Sequence, residues 1–224
     1  MKKFLFLGLL FISVLQASGQ QFNKYGNPLI TNYTPEVYGG NEQVWCIAQD
    51  DRGVMYFGTN DNGILEYDGK TWRSIPMPEN KSVRSLCKGD DGVIYVGSIS
   101  EFGYLEPDTY GNLNYTSLVN LIPDSIRSNL SYIYKTYWHG GKVYFCSLSY
   151  VFIFNGKAVK SVSLGKQSEY ANFFTLKANN RFFVNSYLKG LRTFINDSTL
   201  DFLPGGLAFI QKNVFSLVGL NSNT

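Results

Sequence analysis

The sequence is poor in the residues that build metal and catalytic sites. Its 224 residues include one histidine, His139, and three cysteines, with no C-x-x-C pair. A structural zinc site needs four closely spaced Cys or His ligands, so this composition argues against one. Cys46, Cys87 and Cys146 lie among Val, Ile, Leu and Phe, which predicts small buried core residues and not a disulfide framework. The sequence therefore suggests no metal, no cofactor and no catalytic residue.

The chain also lacks a strong charge of either sign. It carries 20 Lys plus Arg against 17 Asp plus Glu, a formal net charge of +3. No basic run is present that would follow a phosphate backbone, so we expect no nucleic-acid partner for this segment. After residue 20, no apolar stretch approaches the roughly 20 residues that a membrane-spanning helix needs.

The first 19 residues have the pattern of a cleaved signal peptide. Two lysines at positions 2 and 3 precede an apolar run over residues 4–15, and the small residues at 17–19 form a cleavage pattern. The alternative is a membrane anchor, but an apolar run of about 12 residues is too short to cross a bilayer. We therefore expect cleavage near Gly19-Gln20 and an exported, periplasmic mature chain.

What the sequence does contain is a repeat rich in aromatic residues and glycine, with 16 Tyr, 17 Phe and 22 Gly. In the clearest copy, residues 44–73, apolar runs alternate with turn residues at 50–53, 60–63 and 68–70. Gly53 and Gly92, and likewise Gly58 and Gly97, lie 39 residues apart (92 − 53, 97 − 58). Four short strands in about 40 residues are typical of a β-propeller blade.

Further copies follow along the chain. A third unit covers 141–157 after an insertion of about ten residues, which we expect to form a helical turn or an exposed loop. A fourth returns to the period at 179–186, and residues 207–220 resemble the first strand of a fifth. The predicted fold is all-β, an incomplete propeller of four-stranded antiparallel blades. We expect a signal peptide over 1–19, an N-terminal segment over 20–43 with a closing strand at 28–33, and the partial propeller over 44–224.

The first unit has a recognisable motif order. The strand containing Ile47 is followed by Asp50 to Gly53, Gly58-Thr59, Gly63-Ile64 and Tyr67 to Gly69. The second unit keeps an Asp-Asp-Gly turn at 90–92 and Gly-Ser at 97–98. This pattern resembles the repeats of two-component regulator propellers, found in periplasmic sensor regions of bacterial signalling proteins, especially of Bacteroidetes.

The resemblance implies a non-enzymatic, ligand-sensing module of a two-component or transcriptional regulator. In proteins of this kind the propeller precedes a β-sandwich, a membrane helix and a kinase or helix-turn-helix output. The downstream signalling domains would then be partners of this segment in the full-length protein. We expect this chain to be the N-terminal part of such a sensor, either a fragment or a truncated reading frame.

Candidate ligand-binding residues follow from propeller geometry. Loops between the second and third strands and the starts of the first strands converge around the channel, where ligands usually sit. The residues at these positions are Trp45, Asn60, Asp61, Asn62, Arg84, Ser100, Glu101, Tyr187 and Lys189. Aromatic rings with amide and charged groups suit a small molecule or an oligosaccharide. The alternative is that these are ordinary solvated loop residues.

Two rival functions stay open at this point. The chain could be a structural or protein-interaction propeller, including a homodimer, in which the same loops contact another chain. A propeller lyase or hydrolase is less favoured, because it would need clustered His, Arg and carboxylates and the chain has one His.

Overall fold

The computed structural model describes residues 26, 30–40, 42–165, 174–196 and 199–219, which divide into two units. In the first unit, residues 1–33, the described positions form neither helix nor strand. The predicted signal peptide lies outside the described residues. Of the expected closing strand at 28–33, residues 30–33 are described and are not assigned to a strand. Among the described helices, none has the length and apolar character needed to cross a membrane.

The second unit, residues 34–224, contains four antiparallel sheets, each a meander of four consecutive strands. We call these sheets blades 1 to 4. Blade 1 contains β1 (Val44–Gln49), β2 (Met55–Thr59), β3 (Ile64–Tyr67) and β4 (Trp72–Ile75). Blade 2 contains β5 (Val83–Lys88), β6 (Ile94–Ser98), β7 (Glu101–Pro107) and β8 (Leu113–Ser117).

The other two blades repeat this order. Blade 3 contains β9 (Lys135–His139), β10 (Lys142–Cys146), β11 (Tyr150–Phe154) and β12 (Val159–Ser163). Blade 4 contains β13 (Phe174–Ala178), β14 (Arg181–Ser186), β15 (Gly190–Asn196) and β16 (Thr199–Phe202). The described helices are α1 (Pro35–Tyr38) and α2 (Asp124–Arg127), with 3-10 turns at Pro78–Asn80, Val119–Leu121 and Gly206–Phe209. The predicted all-β propeller with four blades is confirmed.

The hairpin turns form where the repeat places Asp and Gly. Asp50 accepts hydrogen bonds from the backbone N–H groups of Arg52 (2.9 Å) and Val54 (3.0 Å) through its Oδ1 atom. Gly53 and its counterpart Gly92 adopt φ values of 88° and 80°, which L-residues with a side chain rarely reach. The Asp fixes the turn by hydrogen bonding and the Gly permits its backbone conformation.

The hydrophobic core lies between successive blades. Strands β2, β6 and β10 are almost entirely buried, because each is covered on both faces. The interface of blades 2 and 3 is built from aromatic rings: Phe102 is fully buried, and its ring centroid lies 4.8 Å from that of Phe145 and 4.9 Å from that of Phe152. Each blade therefore depends on its neighbour to exclude water from its faces.

Glycine in the second strand lets the inner strand of the next blade approach closely. A Cβ atom on Gly97 would lie 2.5 Å from Cγ2 of Ile133 and would also collide with the Ser85 hydroxyl. At the same place, the hydroxyls of Ser85 and Thr136 form a buried 2.7 Å hydrogen bond between blades 2 and 3. Blades 1 and 2 need Gly at this position, Gly58 and Gly97, because of the close approach of the next blade.

The insertion between blades 2 and 3 is part of the core. It contains the Val119–Leu121 turn and α2, so the expected helical turn is confirmed. It is not an exposed loop, because Leu118, Ile122 and Leu130 are buried in the same cluster as Phe102. The insertion adds apolar volume to the interface of blades 2 and 3.

The C-terminal segment differs from the expectation at 207–220. Residues 206–209 form a 3-10 turn, and no strand occurs among the described residues that follow, 210–219. The segment nevertheless contacts blade 4: the Val214 N–H donates to Oδ1 of Asn185 at 3.0 Å, and the rings of Phe215 and Phe174 lie 5.4 Å apart. A fifth blade is therefore not begun as a strand in the described part of the chain.

The three cysteines are free thiols between blades. The Sγ atom of Cys87 accepts a hydrogen bond from the Trp138 N–H at 3.2 Å, across the interface of blades 2 and 3. Cys146 is fully buried, while Cys46 and Cys87 are partly buried. Burial raises the pKa of the Cys46 thiol to about 12 and also raises those of Cys87 and Cys146.

We predict that Phe102→Ala lowers the free energy of unfolding by about 3–5 kcal/mol, because it leaves a cavity beside the Phe145 and Phe152 rings. The change should appear as a lower midpoint in urea denaturation with an unchanged slope. Phe202→Ala is the matched control, since that ring is 56% exposed and its loss should change stability by less than about 0.5 kcal/mol. Equal effects of the two substitutions would contradict the core assignment.

We predict that the native thiols react slowly with Ellman's reagent at pH 8. The thiolate is the reactive form, and a rise of the Cys46 pKa from 9.0 to about 12 reduces its thiolate fraction about a thousandfold. The rate should increase as the pH rises toward 12, and the urea-unfolded chain should react with all three thiols at once. Rapid native reaction of two or more thiols would show that these residues are not packed between blades.

Candidate functional site

Two predicted site residues occupy the same structural position in neighbouring blades. The pairing of β1 with β2 shifts register between Val44 and Cys46, so Trp45 lies in a β-bulge and is not paired with a residue of β2. The pairing of β5 with β6 skips in the same way between Val83 and Ser85, which frees Arg84. Bulges of this kind redirect a side chain away from the regular alternation of the strand.

Blade 3 supplies the equivalent residue, Tyr134. Cys46 pairs with Gly58, Ser85 with Gly97 and Lys135 with Cys146, at corresponding places in their blades. The residue before each of these inner-strand positions is therefore Trp45, Arg84 and Tyr134 in turn. The repeat therefore brings one side chain from each of blades 1 to 3 to the same end of the inner strands, which are the first strands β1, β5 and β9.

These side chains form a continuous stack with Tyr132. The guanidinium carbon of Arg84 lies 3.7 Å from the centroid of the Trp45 ring and 5.3 Å from that of Tyr132. The Tyr132 and Tyr134 rings are stacked with centroids 5.5 Å apart. We refer to Trp45, Arg84, Tyr132 and Tyr134 as the rim cluster. Contact between a guanidinium group and aromatic faces is favourable by about 0.5–2 kcal/mol, depending on exposure.

Polar groups from the β2–β3 loop and from blade 2 fix the Trp45 end of the cluster. Asn60 Oδ1 accepts hydrogen bonds from Trp45 Nε1 (3.2 Å) and from the Ser82 hydroxyl (3.3 Å). The Asn60 amide group donates to Asp61 Oδ1 at 3.0 Å, and Asp61 is exposed. Even so, the Trp45 side chain leaves 42% of its residue surface exposed. The indole is therefore held in position while part of it stays open to solvent.

The electrostatics of the rim cluster are set by its cation. Partial burial raises the pKa of the Tyr134 hydroxyl and the neighbouring Tyr132 adds to the rise, whereas the positive charge of Arg84 opposes it. Lys135, exposed at the start of β9, similarly opposes the burial-driven rise in the Cys46 pKa. Two cations thus act on this end of the inner strands.

The other predicted residues form hydrogen bonds with groups outside the rim cluster. Asn62 is turned toward the N-terminal segment, where its amide donates to the Gly39 carbonyl at 3.2 Å. Ser100 donates to the Leu130 carbonyl at 2.6 Å. Tyr187 and Lys189 lie in the β14–β15 turn of blade 4, where the Tyr187 carbonyl accepts from the Gln211 N–H at 2.6 Å.

Glu101 has a structural environment. It is 7% exposed, and its Oε1 atom accepts hydrogen bonds from Tyr115 (2.9 Å) and Ser117 (2.5 Å) of β8. A buried carboxylate must be hydrogen bonded to be tolerated, and these two hydroxyls meet that need. We therefore leave Glu101 out of the candidate surface.

Sequence reasoning missed Tyr132, Tyr134 and Lys135. The ten-residue insertion hides them, because the step from Arg84 to its equivalent is 50 residues and not 39 (134 − 84). Aligning Tyr144 with Tyr95 shifts Arg84 by 49 residues to Ile133 (84 + 49 = 133), one residue short of Tyr134, because the bulge of β5 is absent from β9. The two tyrosines complete an aromatic surface of which the sequence predicted only one ring.

The single histidine, His139, lines a separate groove of about 390 Å³. The other residues that line it include Cys87, Lys88, Trp138 and Lys177. The His139 ring contacts that of Phe182 edge-on at 5.4 Å. The Cys87 thiol has a raised pKa because of burial, which is the wrong direction for a nucleophile. Among the described residues, no group of three His, Cys, Asp or Glu side chains could hold a metal ion.

Comparison with known proteins agrees with this architecture. Residues 38–61 match the family model "Two component regulator propeller". A search of curated proteins found no match. Among solved structures, a streptogramin B lyase is similar with a TM-score of 0.56 and 13% identity, and the match covers 84% of this chain and 61% of that one. Virginiamycin B lyase from Staphylococcus aureus is similar at 0.54 and 11%, with coverages of 80% and 60%.

Extracellular domains of two hybrid two-component systems from B. thetaiotaomicron are also similar. Their TM-scores are 0.52 and 0.51, with 16% and 18% identity. The matches cover 72% and 75% of this chain but 22% of each of the others. The chain thus spans about three fifths of the lyases and about a fifth of the sensor domains. Identities this low show the shared fold alone.

The four meander sheets and these likenesses define the class of the protein, an all-β propeller. Within that class, residues 38–61, which include the start of blade 1, are similar to the repeat of the two-component regulator propeller family.

We predict an energetic coupling of about 0.5–2 kcal/mol between Trp45 and Arg84. It would be measured as a double-mutant cycle from urea unfolding of Trp45→Ala, Arg84→Ala and the double variant. The pair Arg181 and Phe183, 5.7 Å apart at an exposed position of blade 4, should give a smaller coupling. Additive effects at Trp45 and Arg84 would contradict the stacked arrangement.

Proposed function

We propose that this chain is the ligand-sensing propeller of an exported signal-transduction regulator. The observation that carries the proposal is the rim cluster, in which three consecutive blades present aromatic and cationic side chains on one partly exposed surface. The two-component regulator motif in blade 1 supports a signalling role. The chain is proposed to bind its ligand without transforming it.

Export to the periplasm is the second part of the proposal. The lysines at positions 2 and 3, the apolar run after them and the small residues at 17–19 have the order of a signal peptide. Similarity to the extracellular domains of two B. thetaiotaomicron regulators is consistent with this location.

The ligand class follows from the chemistry of the rim cluster. Trp45 and the two tyrosines offer flat apolar faces with polar edges, which suit the faces of sugar rings. The amide and carboxylate of Asn60 and Asp61 lie beside them and suit hydroxyl groups. We propose an oligosaccharide as the ligand.

Binding can cause signalling only if the ligand has different affinities for two conformations of the protein. A ligand shifts a conformational equilibrium only by binding one state more tightly than the other. Here the binding surface is shared by blades 1, 2 and 3, so a bound oligosaccharide favours one arrangement of those blades. Downstream signalling domains in a longer protein would respond to that arrangement.

A protein-interaction role is the second candidate, and exposed apolar residues favour it. Val44 and Ile47 of β1 are 41% and 57% exposed, although the equivalent strands of other blades are covered. On blade 4, Phe202 and Phe215 are 56% and 67% exposed. Such faces suit a further blade, a second copy of the chain or another protein.

We predict that the mature chain binds an oligosaccharide and that Trp45→Ala weakens this binding at least tenfold, because the stacking surface is lost. The measurement is isothermal titration against a panel of neutral and acidic oligosaccharides. Tyr110→Ala is the control, since Tyr110 is 89% exposed in the β7–β8 turn of blade 2, outside the rim cluster.

An absence of heat with every oligosaccharide would contradict the glycan proposal. Unchanged binding in Trp45→Ala, with a ligand that does bind, would move the site away from the rim cluster. Concentration-dependent self-association in analytical ultracentrifugation, without oligosaccharide binding, would favour the protein-interaction role.

A further inference from the structure

Arg84 differs from most of the other arginines in blades 1 to 3 in having no acidic partner. Arg52 forms an ion pair with Asp50, Arg73 with Glu66 and Arg127 with Asp124, with N–O distances of 2.8, 2.5 and 3.1 Å. No ion pair and no side-chain hydrogen bond of Arg84 occurs within the described part of the chain. Its Nε–H group is moreover buried without a hydrogen-bond partner there.

A guanidinium group in this position is held without being neutralised. Trp45 lies 3.7 Å from its central carbon on one side and Tyr132 5.3 Å on another, so aromatic contacts restrict the side chain. Because Nε is buried, the donors left for a ligand are the N–H bonds of the two terminal NH2 groups of the guanidinium. An ordered, unpaired guanidinium edge is the group that binds a carboxylate with two parallel hydrogen bonds.

The neighbourhood adds a second positive charge. Lys135 follows Tyr134 at the start of β9 and is exposed. Its positive charge lowers the pKa of the Cys46 thiol of blade 1, against the larger rise that burial causes. The carboxylate of Asp61 is also on this surface, where it accepts a hydrogen bond from the Asn60 amide.

From this arrangement we propose that the rim cluster selects a carboxylated sugar, with the uronate carboxylate on Arg84 and the sugar ring against the exposed part of Trp45. The proposal rests on the oligosaccharide-binding function above and makes that function specific. Stacking alone would accept neutral and acidic sugars alike, because every sugar ring has an apolar face. Arg84 is the specificity-determining residue, and Trp45 supplies affinity common to both kinds of sugar.

The test compares matched ligands on the mature chain. Trimers of galacturonate, glucuronate and mannuronate are titrated calorimetrically, each beside the same trimer with its carboxyl groups reduced to alcohols. We expect at least one uronate trimer to bind tenfold or more tightly than its reduced counterpart. That preference should decrease as NaCl is raised from 50 to 500 mM, because salt screens a solvent-accessible ion pair.

Variants then assign the preference to one residue. Arg84→Gln should reduce the preference for the uronate to less than twofold, where the preference is the ratio of the two trimer affinities measured on the same variant. Arg84→Lys keeps the charge without the planar fork and should retain only part of the preference. Arg181→Gln is the matched control: it removes the same charge from an exposed arginine that also lies over a ring, Phe183 at 5.7 Å, and should change nothing. Thermal midpoints of all variants show whether each remains folded.

The outcomes separate the two proposals. Equal affinity for uronate and reduced trimers, or a preference that survives in Arg84→Gln, overturns the assignment of the carboxylate to Arg84 and leaves oligosaccharide sensing intact. Tighter binding of a sulfated neutral trimer than of any uronate would overturn the proposal that Arg84 binds a carboxylate and would favour a sulfate ester as its ligand group. Binding of no trimer, acidic or neutral, overturns the sensing function itself.

Discussion

The fold depends on the close approach of the inner strand of each blade to the second strand of the blade before it. Gly58 and Gly97 make this approach possible, because a Cβ atom at either position would collide with side chains of the next blade. The gap is then closed by the Ser85–Thr136 hydrogen bond and by the apolar clusters between sheets. Since each repeat forms one blade that packs against the next, residues one repeat apart in the sequence occupy equivalent positions in neighbouring blades.

The same constraint places the candidate site. A bulge before the closely packed residue recurs in blades 1 and 2, so Trp45 and Arg84 leave their strands in the same direction and meet at 3.7 Å. Tyr134 joins them because β9 occupies the next inner position. The stacked surface is thus a consequence of the repeat. The similar backbone of each blade places one residue, which differs between blades, at the same end of the first strand. Under the proposed function, we expect substitutions of these residues to alter ligand preference without changing the fold.

The sequence predicted the elements whose cause is local. Asp50 with Gly53 and the 39-residue spacing of Gly58 and Gly97 determine turns and blades, and these were recoverable by inspection. It failed where distant contacts decide. Glu101 looked like a loop carboxylate, yet hydroxyls of β8 bury it. The residues after 207 have a strand-like composition, but the described part of that segment contacts blade 4 without forming a strand.

The central claim is that equivalent positions of successive blades form one binding surface. A crystal structure of the mature chain with the tightest-binding uronate trimer tests it most directly. The account predicts a sugar ring against Trp45 and a carboxylate within hydrogen-bonding distance of the Arg84 guanidinium, with contacts from at least two blades. A trimer bound elsewhere, or bound to a single blade with Arg84 making no contact, would contradict it.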